Sequence, residues 1–130
     1  MTLTEIKNAV AMRLFTQTTI PKEAIQFPNK KAIVTAGRDV WVQLTATSSM
    51  GGAKEIGNGA VVQRGGVIII RLYVPLAAEV NLLYETADKL RELFEFKTDG
   101  SLDYFAVDLV DGGEVNGFYQ MNLHIPYRAL

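Results

Sequence analysis

The sequence predicts a single α+β domain over residues 1–130, with a mostly antiparallel sheet of four to five strands and two helices packed on one face. Two segments repeat apolar residues at helical spacing, and four others alternate or stay apolar on both sides as strands do. Their order is helix, two strands, helix, two strands, with no internal repeat or low-complexity tail. A chain of 130 residues that is 48% hydrophobic and 21% charged has an ordinary globular composition and can bury one real core.

Thr2 followed by Glu5 forms a capping box, so a helix starts there. Leu3, Ile6, Val10 and Leu14, with Ala9 alongside, make its apolar stripe, whereas Glu5, Lys7 and Arg13 suit the wet side. The threonine-rich stretch 16–19 and Pro21 end the pattern. Residues 16–38 read as connection, with a short extended piece near 25–27 and a turn at Pro28-Asn29-Lys30-Lys31.

Residues 40–47 alternate: Val40, Val42, Leu44 and Ala46 face one way, and Trp41, Gln43, Thr45 and Thr47 the other. Residues 48–59 follow with four glycines in twelve positions, the pattern of a long mobile loop. From Ala60 strand character returns and passes Arg64-Gly65-Gly66, a bulge or bend, into Val67-Ile68-Ile69-Ile70-Arg71-Leu72-Tyr73-Val74 before Pro75. The second helix carries Val80, Leu83, Tyr84, Ala87, Leu90, Leu93 and Phe94 in one stripe, with Glu85–Lys89 and Asp88–Arg91 as helical charge pairs. After a turn at Asp99-Gly100, two strands are predicted near 103–110 and 117–127, joined through Asp111-Gly112-Gly113-Glu114.

Thirteen basic and fourteen acidic residues give a formal charge of -1, so no whole-chain field draws the protein to nucleic acid or an anionic membrane. Without cysteine there is no disulfide, thiolate nucleophile or cysteine metal site. The N-terminal residues lack a secretory pattern, and the apolar run 67–70 is far too short for a transmembrane helix, which fits folding in a cytoplasm.

Candidate chemistry is sparse. His124 is the one histidine, and no nucleophile elbow or HExxH accompanies it, so a surface or interface histidine is its simpler reading. Gly51-Gly52-Ala53-Lys54 lacks the spacing of a P-loop. Asp108, Asp111 and Glu114 can gather carboxylates near one hairpin, but turn chemistry accounts for them more cheaply. Lys30, Lys31 and Arg38 read as a solvated basic patch. No catalytic residue, cofactor site or metal site is assigned.

The features left over concern partners. Met50 and Ile56 are apolar residues that a mobile loop gains little by exposing, and Lys54 and Glu55 beside them can set electrostatic register with a partner. The competing reading is a plain disordered loop with two chance apolar residues. Ile69 and Tyr73 oppose Ile68, Ile70 and Leu72, and Trp41 and Phe118 lie opposite the aliphatic rows. Two helices cover one face of such a sheet, so the other face or an edge is open to another subunit.

Trp41-Val42-Gln43-Leu44-Thr45, the glycine-rich segment, Arg64 to Ile70 ending at Tyr73-Val74-Pro75, Ala87 to Phe94 and the closing 117–127 stand in a telling order. In order and spacing, over residues 40–127, they resemble the tail terminator (tail-completion) proteins of long-tailed bacteriophages, a group that includes a phage-related domain of unknown function. Gln63 stands where a basic residue often precedes Arg64, and Phe118 where tryptophan is common. The resemblance implies a structural protein without enzymatic activity that forms a hexameric ring, stops tail-tube polymerisation and offers the surface on which the head joins. Its implied partners are copies of itself, the tail-tube protein and a head-completion protein. Its implied location is the host bacterial cytoplasm during assembly, then the head-proximal end of the virion tail. Met50, Lys54, Glu55, Ile56, Arg64, Trp41 and Phe118 are the candidate interface residues. A small dimeric ligand-binding or regulatory α+β domain is the alternative, and an enzyme comes third.

Overall fold

The computed structural model describes residues 2–17, 19–28, 30–33, 35, 39–53, 62–76, 78 and 80–129, with backbone alone at 46–53 and 62–64. The capping box forms as predicted: the Glu5 amide donates to Thr2 Oγ1 at 3.1 Å, and helix α1 runs Leu3–Thr16. Ile6, Val10 and Leu14 are buried, but Leu3 in the first turn is 62% exposed, because a helix start extends past the surface it covers. Helix α2, Val80–Phe94, buries Leu83, Thr86, Ala87, Leu90 and Phe94. Its predicted stripe is therefore too wide, since Val80 and Tyr84 are exposed and Thr86 takes an inward place by donating its hydroxyl to the Leu82 carbonyl at 2.7 Å.

The sheet is mixed and larger than predicted, with seven strands among the described residues. These are β1 (Ile25–Gln26), β2 (Trp41–Ala53), β3 (Val62–Pro75), β4 (Thr98–Asp99), β5 (Leu102–Tyr104), β6 (Asp108–Val115) and β7 (Phe118–Ala129). They lie in the order β1-β2-β3-β7-β5-β4, and β6 also pairs with β7. The additions come from short pieces. Two residues of the predicted connection run parallel to β2, and the segment between α2 and β7 breaks into three strands. Because β3 pairs with β7 from Arg64↔Ala129 to Pro75↔Phe118, it fills one edge of β7, and β5 and β6 share the other end to end.

Two loop expectations are overturned. Residues 48–53 continue β2, pairing as far as Ala53↔Val62, and a register shift between Ser48 and Gly51 sets one extra β2 residue opposite Gly65. Cross-strand pairing outweighs the weak strand preference of glycine there, and the bulge takes up the mismatch. Residues 54–59 of the predicted loop lie outside the described residues. The last hairpin turns at Asn116-Gly117, not at 111–114. Both residues have positive φ, 49° and 84°, the signature of a two-residue type I′ turn. Asp111-Gly112-Gly113 is instead an irregularity within β6, where the Gly113 amide donates to Asp111 Oδ1 at 2.8 Å.

One apolar cluster joins the inward residues of both helices to Val42, Leu44, Ile68, Ile70, Leu72, Leu123, Ile125 and Tyr127 on one face of the sheet. Arg13, assigned to the wet side, instead closes one margin of this layer. Its Nε and Nη2 donate to the two Asp99 carboxylate oxygens at 2.9 and 2.7 Å, and Nη1 donates to the Leu93 carbonyl at 2.9 Å. The Tyr104 hydroxyl donates to the same carboxylate at 2.8 Å. Hydrogen bonding from Arg13 holds the Asp99 carboxyl below its ordinary value, despite opposing desolvation. Burial first, and Asp99 second, push the Tyr104 phenol far above its ordinary range. Helix α1, the end of α2 and the β4–β5 hairpin are thereby tied at one point.

Candidate functional site

Strand alternation fixes what the helices leave uncovered. Opposite the core face, the registers Trp41↔Tyr73, Gln43↔Arg71 and Thr45↔Ile69 continue into Tyr73↔Gln120, Arg71↔Asn122 and Ile69↔His124, and then His124↔Asp108. These positions share the second face, where most side chains are partly exposed. The buried residues of both helices join the core cluster on the other face.

The face has an aromatic end and a polar middle. The Trp41 and Tyr73 rings stack at 4.1 Å, and Phe118 meets both edge-on, at 5.6 and 6.3 Å. Tyr73 is thereby buried, and desolvation raises its phenol pKa against the opposing effect of Arg71. Gln120 Nε2 donates to Tyr73 Oη at 3.4 Å and to Asn122 Oδ1 at 2.9 Å. β6 approaches this glutamine so closely that a Cβ on Gly112 would stand 2.9 Å from its side-chain carbons. Among the described residues the buried Trp41 indole N–H meets no acceptor, a costly condition for a polar group.

Beside Trp41 the face runs into a groove of about 360 Å³, lined by Gln26, Phe27, Lys30, Ile33, Trp41 and Gln43 among others. One side chain shapes its far wall. Gln26 Nε2 donates to the Phe27 and Lys30 carbonyls, and its Oε1 accepts from the Ile33 amide at 2.8 Å. Phe27, Lys30 and Ile33 are thus bound to β1 although they belong to no helix or strand.

Of the predicted interface residues, the structure brings Trp41 and Phe118 together, in contact. Met50 falls at the β2 bulge and Arg64 opposite Ala129, both as backbone positions only. Lys54, Glu55 and Ile56 lie outside the described residues. Sequence reasoning set Tyr73 on this face beside Ile69 but left it out of the interface set, and it missed Gln120 and the groove. Tyr73 was reachable, because the alternation that sets Trp41 outward does the same for its partner, whereas the groove depends on side-chain bonds within a segment that has no periodicity.

His124 sits mid-face between Ile69 and Asp108 in register. Among the described residues no three His, Cys, Asp or Glu side chains are grouped to hold a metal ion. Nor, among them, is any helix long and apolar enough to cross a membrane. The second face is mixed in polarity, with aromatic rings packed at one end.

No protein-family model and no curated protein matches the chain. A solved structure that carries no functional name is similar with a TM-score of 0.74 at 16% identity, over 100% of this chain and 96% of that one. At that identity the likeness defines a shared α+β fold and nothing finer.

Proposed function

We propose that this chain is a structural assembly subunit of the tail terminator kind. It closes with copies of itself into a ring, a hexamer by the resemblance, that caps a phage or prophage tail tube and offers its other side to a head-completion protein. The observation that carries this reading is the asymmetry of the sheet. One face is sealed by helices, and the other keeps Trp41, Tyr73 and Phe118 clustered at one end, with Ile69 partly exposed further along it. Tryptophan and tyrosine anchors among polar neighbours are what subunit contacts enrich. Such a role needs no catalytic group or cofactor, and assembly would take place in the bacterial cytoplasm before the ring takes its place at the head-proximal end of the tail.

Sedimentation across protein concentration, with negative-stain electron microscopy, tests the proposal. Rings with a central channel at high concentration are expected, and in mixtures with tail tubes they should sit at one tube end. A species that stays monomeric throughout, or a compact two-fold dimer, would overturn it. The groove beside Trp41 is the observation favouring the second reading, a small dimeric ligand-binding or regulatory domain. A small molecule retained through purification, seen by native mass spectrometry, would favour that reading.

A further inference from the structure

The two edges of the sheet carry opposite charge. Near the β1 edge, residues 20–35 include Lys22, Lys30 and Lys31 against the single acid Glu23, and all four are exposed. At the other edge, residues 105–127 include Asp108, Asp111 and Glu114 with no lysine or arginine, and these three acids are exposed. Among the described residues no strand pairs with the outer side of β6. Between them lie β2, β3 and β7, so at roughly 4.8 Å per strand spacing the edges stand about 20 Å apart. Within one molecule the two cannot neutralise each other.

Both edges also carry apolar residues among their charges. The basic edge is concave: the groove has Phe27, Pro28, Ile33 and Trp41 on its walls and Lys30 on its rim. The acidic edge presents Val110, 44% exposed, on the same side of β6 as Asp108, with Asp111 next to it on the other side. An apolar residue beside carboxylates suits an apolar groove with an ammonium rim.

From these features we infer a head-to-tail contact between two copies of this chain, in which the groove beside Trp41 of one receives the acidic β6 edge of the next. Patches of different identity meet, so the contact is heterologous and generates a ring where its rotation closes. The inference rests on the assembly reading and names the surfaces that would carry it.

Charge reversal tests it on the full chain. One variant carries Asp108→Lys with Glu114→Lys, the other Lys30→Glu with Lys31→Glu. All four positions are exposed, and unfolding midpoints that match the parent's establish that both variants fold. In sedimentation at low salt each variant alone should associate at least about tenfold more weakly than the parent, because like charges now meet. An equimolar mixture should recover assembly, since the basic β6 edge of one meets the acidic groove of the other in alternation. Added salt should weaken the parent and the mixture alike. Variants that assemble as the parent does, or a mixture that stays dissociated, overturn this contact while leaving a ring-forming parent and the broader proposal intact. A parent that stays monomeric overturns both.

Discussion

The two faces of this sheet share one backbone and the same strands, yet they are built to different specifications. On the covered face Ile68, Ile70, Leu72, Leu123 and Ile125 are fully buried under two helices. On the uncovered face their sequence neighbours Ile69, Arg71, Asn122 and His124 are partly exposed, with two rings and a glutamine packed around Tyr73. Adjacent residues of β3 therefore feel a dry core and a half-wet surface in alternation. The lesson is that stability and association can be written into the same strand with a period of two.

The sharpest way to break this comparison is to truncate neighbours. Leu72→Ala on the covered face should cost about 2–5 kcal/mol through lost burial and a residual cavity, whereas Ile69→Ala should cost less than about 1.5 kcal/mol because part of its surface is already wet. Urea midpoints measure both, and equal losses would mean the second face is not open. Next in size is the tie at the margin of the covered face. Asp99→Asn gives up charge-assisted bonds to Arg13 and should cost about 1.5–3 kcal/mol. Its pH dependence has a definite sign. The carboxyl is held below its ordinary 3.8, so the stabilisation is complete above that value and is lost as pH falls through the lower folded value. The gap between parent and Asp99→Asn in urea midpoint should therefore narrow under strongly acid conditions, and a gap that widened there would refute the assignment.

What the sequence revealed follows the same division. The helices and long strands were legible because their periodicity records a core: Ile6, Val10 and Leu14 repeat at helical spacing, and Val42 and Leu44 alternate with Trp41 and Gln43. The uncovered face was legible in part, through Trp41 and Phe118 opposing aliphatic rows. Short elements set by tertiary bonds were legible only in part: the extended piece expected near 25–27 is β1, but its place in the sheet was not foreseen. β1 exists through its pairing with Val42 and Gln43, and the groove through the Gln26 amide, which no local pattern announces. Arg13 was read as solvent-facing because the carboxylate that holds it, Asp99, is 86 residues away. The misplaced turn has a different cause: the glycines of 111–114 resembled a hairpin connection, while Asn116-Gly117 carries the stronger turn signal.

That turn gives a smaller test, and one neutral between the faces, since it anchors the start of β7, which contributes to both. Gly117 has a φ of 84°, which a side chain adopts at a cost of about 1–2 kcal/mol. Gly117→Ala should therefore lower stability by about that amount without changing association at a temperature where both proteins are folded. Loss of assembly out of proportion to stability would place the hairpin tip itself in the contact.

The smallest expected effect has the opposite sign. Phe96 follows α2 with a φ of 56° and is 72% exposed, a large apolar ring held in a conformation that suits glycine. Its amide donates to the Phe105 carbonyl at 3.4 Å, and this backbone bond does not depend on the side chain. Phe96→Gly should relieve about 1–2 kcal/mol of strain and return about 0.5–1 kcal/mol to the greater freedom of the unfolded chain. A net gain of up to about 1.5 kcal/mol is expected, read as a higher urea midpoint at low protein concentration. Exposed aromatic residues that add little to the fold of the single chain belong with the uncovered face, not with the core. If Phe96→Gly instead lost more than about 1 kcal/mol, a scale set by burying a large apolar side chain, the ring would be contributing packing to the monomer. The division between a face built for folding and surfaces left for partners would then have to be redrawn around the end of α2.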